Sequence, residues 1–294
     1  MSASTCHGIW MSLTPSVIND EISPDFLHAC KVAREYGLTH LELRQVWNTP
    51  VESLTAAQVG EVREILAGTS TSACCLATGF AKCHVQDTAT VRQHVDLLKR
   101  AADTARELGC TLLRGFSFWR DSDQWDDVLR AYQQVPAILE AWEVTLAIEN
   151  EPGTMAGDAD QLHTLLDLLR YPRLRAVWDP ANQVSATSRR GAAAAGYTLL
   201  QADIAHVHVK DVRREGEGAK TVLLGSGDVD WKRQVELLRE NEYTGHVSLE
   251  AHLEPDDLPR EVRETHAYHL QGAGREPATR VALSILQQML TEQA

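Results

Sequence analysis

Residues 204–211 read IAHVHVKD, an apolar run in which His206, His208 and Lys210 alternate with Val207 and Val209. Successive side chains of a strand point to opposite faces, so the two histidines and the lysine share one face and the valines the other. Outward from this segment, six more runs repeat the design: THLELR (39–44), SACCLAT (72–78), TLLRGFSF (111–118), TLAIENE (145–151), RAVWDP (175–180) and HVSLEAH (246–252). A further strand is expected near Leu13 to Ile18, which makes eight. Between them lie amphipathic helical stretches, the clearest being VRQHVDLLKRAADTARELG, with Val91, Val95, Leu98, Ala101, Ala102 and Ala105 on one face and Gly109 as the stop. Pro24 and Asp158 are expected helix starts, and Gly37 and Gly68 expected stops. Strands alternating with helices predict a parallel sheet, and eight such units predict a closed α/β barrel, a (β/α)8 fold.

Barrels of this kind fold as one unit of about 250 residues, so the 294 residues are expected to form a single domain, 1–294. Residues 251–277 are expected to form a loop, lid or subunit-contact insertion after the last strand, on the face where barrels carry their sites. A net charge of −13 opposes phosphate backbones and anionic lipid, which favours a small-molecule partner over nucleic acid or membrane. The six cysteines form no CxxC pairs and read as reduced thiols. With no basic segment leading into an apolar core at the N-terminus and no apolar run of bilayer length, a cytoplasmic location is expected.

Four polar residues stand at the ends of four successive strand candidates: Glu149, Asp179, His208 and Glu250. Charged side chains at the end of an apolar run are costly to bury singly, and one divalent cation would satisfy three carboxylates and an imidazole together. Barrel strand ends converge on one mouth, so these residues are expected to meet there. Such a donor set suits Mn²⁺ best, with Mg²⁺, Co²⁺ and Zn²⁺ as alternatives. Taken singly, Glu149 and Asp179 read equally well as helix caps, and one of His206 and His208 as a core histidine.

IEN (148–150), DPANQ (179–183), HVHVKD (206–211), GSGDVDW (225–231) and SLEAH (248–252) together make the chain similar to the xylose isomerase-like TIM barrels, a group that includes sugar epimerases, hydroxypyruvate isomerase, inosose dehydratase and endonuclease IV. The resemblance implies that His208 rather than His206 is the ligand, and that Glu149 and Glu250 both bind the metal and shuttle a proton on opposite sides of a ketose, keto-polyol or hydroxy-ketone. Abstracting a proton beside a carbonyl creates an enediolate, whose charge a metal ion stabilises. Asn182, Lys210, Arg213 and Glu42 are the expected substrate contacts, Lys210 alternatively pairing with Asp211 or Glu42, and Glu42 alternatively bracing the barrel. Asn182 stands where many sugar epimerases of the group carry a histidine. Arg214, Lys82 and His84 are weaker candidates, and Trp47, Phe118, Trp119 and Trp178 are candidate walls of the site. The group also makes a homodimer or homotetramer the expected assembly.

A metal-dependent dehydratase of the inosose or dehydroshikimate kind is the runner-up, since it shares the enediolate. An endonuclease IV-like repair enzyme is remote, because it needs more ligands and a basic groove. GSGDVDW lacks the ending of a P-loop and reads as a turn into WKRQVELLREN, capped by Asp228 or Asp230.

Overall fold

The computed structural model of the chain describes residues 13–121, 124–187, 189, 191–216, 218–265 and 274–291. Each of the eight expected strands is present: β1 (Thr14–Val17), β2 (His40–Leu43), β3 (Ser72–Ala77), β4 (Leu112–Gly115), β5 (Thr145–Glu149), β6 (Leu174–Trp178), β7 (Ile204–Val209) and β8 (His246–Leu249). They form one parallel sheet in which each strand pairs with its neighbours in sequence, and β1 pairs with β8. A parallel bridge from Ile18 to Glu42 brings β1 against β2 and closes the barrel.

Helices follow the strands as α1 (Phe26–Glu35), α2 (Ala56–Thr69), α3 (Thr88–Leu108), α4 (Val135–Trp142), α5 (Ala159–Leu169), α6 (Ala192–Leu200), α7 (Trp231–Glu240) and α8 (Glu276–Thr291). Side-chain oxygens satisfy the free N–H groups at their starts: Asp25 caps α1, Thr55 and Gln58 form a capping box on α2, and Asp87, Asp158 and Asp230 cap α3, α5 and α7. Asp25, not Pro24, is therefore the cap of α1. Gly109 ends α3 in the left-handed region, as expected, whereas Gly68 stays helical and Ser70 makes the left-handed turn after α2. Val95, Leu98, Ala101, Ala102 and Ala105 of α3 are buried against the barrel.

Two short antiparallel ribbons extend the mouth, Gln45–Val46 with Thr49–Pro50 after β2, and Asp211–Glu215 with Gly218–Val222 after β7. The second is not marked in the sequence, because DVRRE and GAKTV lack the alternation that marks a half-buried strand. The GSGDVDW loop folds back on its base. The Asp211 carboxylate accepts hydrogen bonds from the backbone N–H groups of Gly225, Gly227, Val229 and Val212 at 2.9–3.2 Å. A Cβ on Gly227 would lie 2.5 Å from the Val212 carbonyl oxygen, so only glycine fits this approach.

Residues 251–277 are only partly a loop, holding a 3₁₀ turn at Pro255–Asp257 and a short helix at Arg260–Thr265, while 266–273 lie outside the described residues. Five cysteines are free thiols, and Cys6 is outside the described residues. No described helix is long and apolar enough to cross a membrane.

Candidate metal centre

The inward faces of β2, β7 and β8 are polar in layers. At the N-terminal end, the His40 and His246 rings meet at a tilt of 53° with centroids 4.5 Å apart. In the middle layer Glu42 is fully buried, and its Oε2 accepts from His206 Nε2 at 2.8 Å. Above it, Glu42 Oε1 takes His208 Nε2 at 3.2 Å. A carboxylate bonded to both Nε2 atoms fixes a proton of each ring there, which leaves His208 Nδ1 as the nitrogen that can face a metal ion. Glu42, an expected substrate contact, is thus shut away from substrate and orients the histidine instead.

His208 Nδ1 faces three carboxylates at the C-terminal ends of β5, β6 and β8. It lies 3.3 Å from Glu149 Oε1, 3.4 Å from Glu250 Oε2 and 3.9 Å from Asp179 Oδ2. One ligand atom from each of the four residues falls within 4.8 Å of all the others, and every residue is buried. Asp179 serves twice: Oδ1 caps the short helix Pro180–Ala186 through the Asn182 N–H, and Oδ2 meets the Lys210 ammonium at 2.7 Å. Lys210 also donates to Glu250 Oε2 at 2.9 Å, so its partners are Asp179 and Glu250 rather than Asp211 or Glu42.

Protonated groups balance these carboxylates. Burial alone would lower the His208 imidazole, but Glu42, Glu149 and Glu250 raise it well above its ordinary value. Burial likewise opposes the Lys210 charge, and Asp179 and Glu250 overcome it. Burial would raise Glu149, yet His208 and Arg114 bring it down to about 2. Burial leaves Asp179 above the usual carboxylate range despite Lys210. Three buried carboxylates and one imidazole nitrogen converging within 4.8 Å fit a hard divalent cation, whose binding would displace the proton from His208 Nδ1.

The centre opens into a cavity of about 300 Å³ lined by Arg44, Lys82, Arg114, Phe116, Glu149, Lys210, Glu250 and His252, among others. Of the expected substrate contacts, only Lys210 lines it. Asn182 braces the centre from outside, donating to Glu149 Oε1 at 3.0 Å and Glu151 Oε2 at 3.1 Å. Arg213 lies on the exposed ribbon and donates to the Ser226 carbonyl, and Arg214 ties that ribbon to the Val184 carbonyl. The aromatic wall is Phe116. Trp178 instead packs in the core and bonds Gln234, Phe118 is buried against Tyr132, Trp47 packs on Phe26, and Trp119 stands 5.4 Å from the Lys82 ammonium. His84 pairs with Asp121 at the surface, whereas Lys82 reaches the cavity.

Arg44 and Arg114 escaped the sequence reading. Arg44 binds Asp20, Glu21 and Glu250, at 3.1, 2.6 and 3.1 Å. Both were findable: Arg44 is two residues beyond inward-facing Glu42, and Arg114 interrupts the apolar run LLRG, where a buried cation is as costly as a buried carboxylate.

A model of the xylose isomerase-like TIM barrels matches residues 30–271. No curated protein matches the chain by sequence. Among solved structures, the chain is similar to the IOLI protein with a bound zinc atom (TM-score 0.74, 14% identity, covering 96% of this chain and 99% of the other). It is also similar to the 3-keto-D-glucoside 4-epimerase of E. coli (0.71, 14%, 95% and 99%). A third is the D-allulose 3-epimerase of Methylomonas sp. in complex with D-allulose (0.71, 16%, 95% and 98%). At these identities the likeness is one of fold.

Proposed function

The chain belongs to the xylose isomerase-like TIM-barrel family, and from that premise we propose that it is a divalent-metal-dependent isomerase or epimerase of a ketose, keto-polyol or small hydroxy-ketone. The convergence of Glu149, Asp179, His208 and Glu250 beside a sugar-sized cavity carries this reading. Structural neighbours that are sugar epimerases, one holding D-allulose and another protein of the same fold holding zinc, support it. A bound divalent ion, Mn²⁺ by the oxygen-rich donor set, would stabilise negative charge on a substrate oxygen.

Glu149 and Glu250 both reach the cavity, and each has its own set of partners. Glu149 is held by His208, Asn182 and, at 3.5 Å, Arg114, whereas Glu250 is held by Arg44, Lys210 and His252. One carboxylate removes the proton from the carbon beside the carbonyl, and a proton returns at the opposite face or the neighbouring carbon from the side of the other, where the Lys210 ammonium that bonds Glu250 can resupply it. The hydrogen bonds fix both carboxylates before substrate arrives, so little reorganisation is left for the reaction.

Lys210 favours one second reading. Its ammonium lines the cavity beside both carboxylates and would protonate a departing β-hydroxyl, which would make the protein a dehydratase. Metal-loaded protein in deuterated water with a panel of ketoses and keto-inositols separates the two. Isomerised, deuterium-labelled product that disappears in Glu149→Gln and Glu250→Gln supports the isomerase, and an unsaturated product with loss of water supports the dehydratase. If no substrate exchanges a proton, both readings fall.

A further inference from the structure

We propose that Arg114, with Lys82, forms an oxyanion pocket, so that the substrate is an acidic or phosphorylated sugar rather than a neutral one. The inference rests on the proposed function for the reaction, but on residues outside the metal centre for recognition.

Arg114 is the inward residue of β4, and its side chain is only 7% exposed. Among the described residues its guanidinium donates no hydrogen bond. Nε is buried without a hydrogen bond, and its nearest carboxylate oxygen, Glu149 Oε2, stands in a long ion pair at 3.5 Å. A guanidinium carries five N–H donors, and one buried without a hydrogen bond is costly. Every other cation of the cavity is engaged: Arg44 by three carboxylates, Lys210 by two, and Lys82 by Glu151 at 2.9 Å.

Phe116 holds the two cations together, with the Lys82 ammonium 4.3 Å and the Arg114 Cζ 4.4 Å from its ring centroid. Stacking on a ring leaves the edge of the guanidinium, where its donors lie, for a ligand. Arg114 lines the same cavity as the two proposed proton-transfer carboxylates. A sugar hydroxyl would leave the charge uncompensated, whereas a carboxylate or phosphate matches both the charge and the fork of donors.

Binding calorimetry on the metal-loaded protein, with xylitol, xylonate and xylitol phosphate as probes, tests this. We expect one of the two anions to bind at least about tenfold more tightly than xylitol, the gain of a charge-assisted pair. A xylonate preference identifies sugar acids, and a xylitol phosphate preference sugar phosphates. The preference should vanish in Arg114→Met and survive in part in Arg114→Lys, with circular dichroism confirming that each variant is folded. Equal binding of all three probes, or a preference unchanged in Arg114→Met, overturns the proposal and leaves Arg114 as a support for Glu149. Anion preference without proton exchange on any ketose would instead refute the isomerase reading and leave the pocket standing.

Discussion

Replacing Glu42 by glutamine tests whether the buried layer beneath the metal centre controls it. The carboxylate accepts from His206 Nε2 and His208 Nε2, at 2.8 and 3.2 Å, and it is fully buried. Burial alone would raise its pKa, but His208 and His206 hold it well below the usual range. Glutamine keeps the shape and offers only one acceptor oxygen. Its NH₂ must then face one Nε2, and that ring must move its proton to Nδ1. If His208 is the ring that switches, the lone pair aimed at Glu149, Asp179 and Glu250 is lost. If His206 switches, His208 keeps its tautomer but loses the basicity a carboxylate confers. Groups that orient a metal ligand are worth about 10- to 100-fold in metal affinity, or about 1.4–2.7 kcal/mol. Competitive titration of Mn²⁺ against a fluorescent chelator should show a loss in that range for Glu42→Gln, with far-ultraviolet circular dichroism unchanged. A folded variant that binds the metal as tightly as wild type would refute the reasoning.

Lys210→Met removes the ammonium between Asp179 and Glu250, and breaking a buried ion pair by deleting one partner costs about 3–5 kcal/mol, so the metal-stripped protein should melt well below wild type. Mn²⁺ should restore more of the melting temperature in this variant than in wild type, as scanning fluorimetry would show. Gly227→Ala places a methyl group 2.5 Å from the Val212 carbonyl and against the Asp211 carboxylate, and urea denaturation should register a loss of about 1–3 kcal/mol. Burial lowers His246 to about 4, helped by neighbouring His40, which burial lowers as well. Both therefore bind protons more readily in the unfolded chain, so stability should fall as pH drops from about 6.5 towards 4, and His246→Gln should flatten that slope in denaturation measured across the range.

The barrel was legible because its strands are short apolar runs broken by capped helices, and both signals are local. The four centre residues were legible as candidates because a carboxylate or histidine ending such a run stands out, and the family resemblance chose His208 over His206. What the cavity does with its remaining cations was not. Arg44 follows Glu42 in plain alternation, but its meaning depends on Asp20, Glu21 and Glu250, which only closure of the barrel brings near it. Asn182 was expected at the substrate because it stands where many sugar epimerases of the group carry a histidine; it lies one helical turn past Asp179, where its amide steadies the Glu149 carboxylate. Arg213 was misplaced for another reason: the segment after β7 forms a ribbon whose pairing depends on the Asp211 hub, and no hydrophobic pattern announces it.

The most direct test of the central claim is elemental analysis of the purified protein after equilibration with Mn²⁺, wild type beside His208→Ala, each checked for folding by circular dichroism. The account predicts a single bound equivalent in wild type and none in His208→Ala. A folded wild-type protein that holds no divalent metal, or a His208→Ala variant that holds as much as wild type, would contradict it.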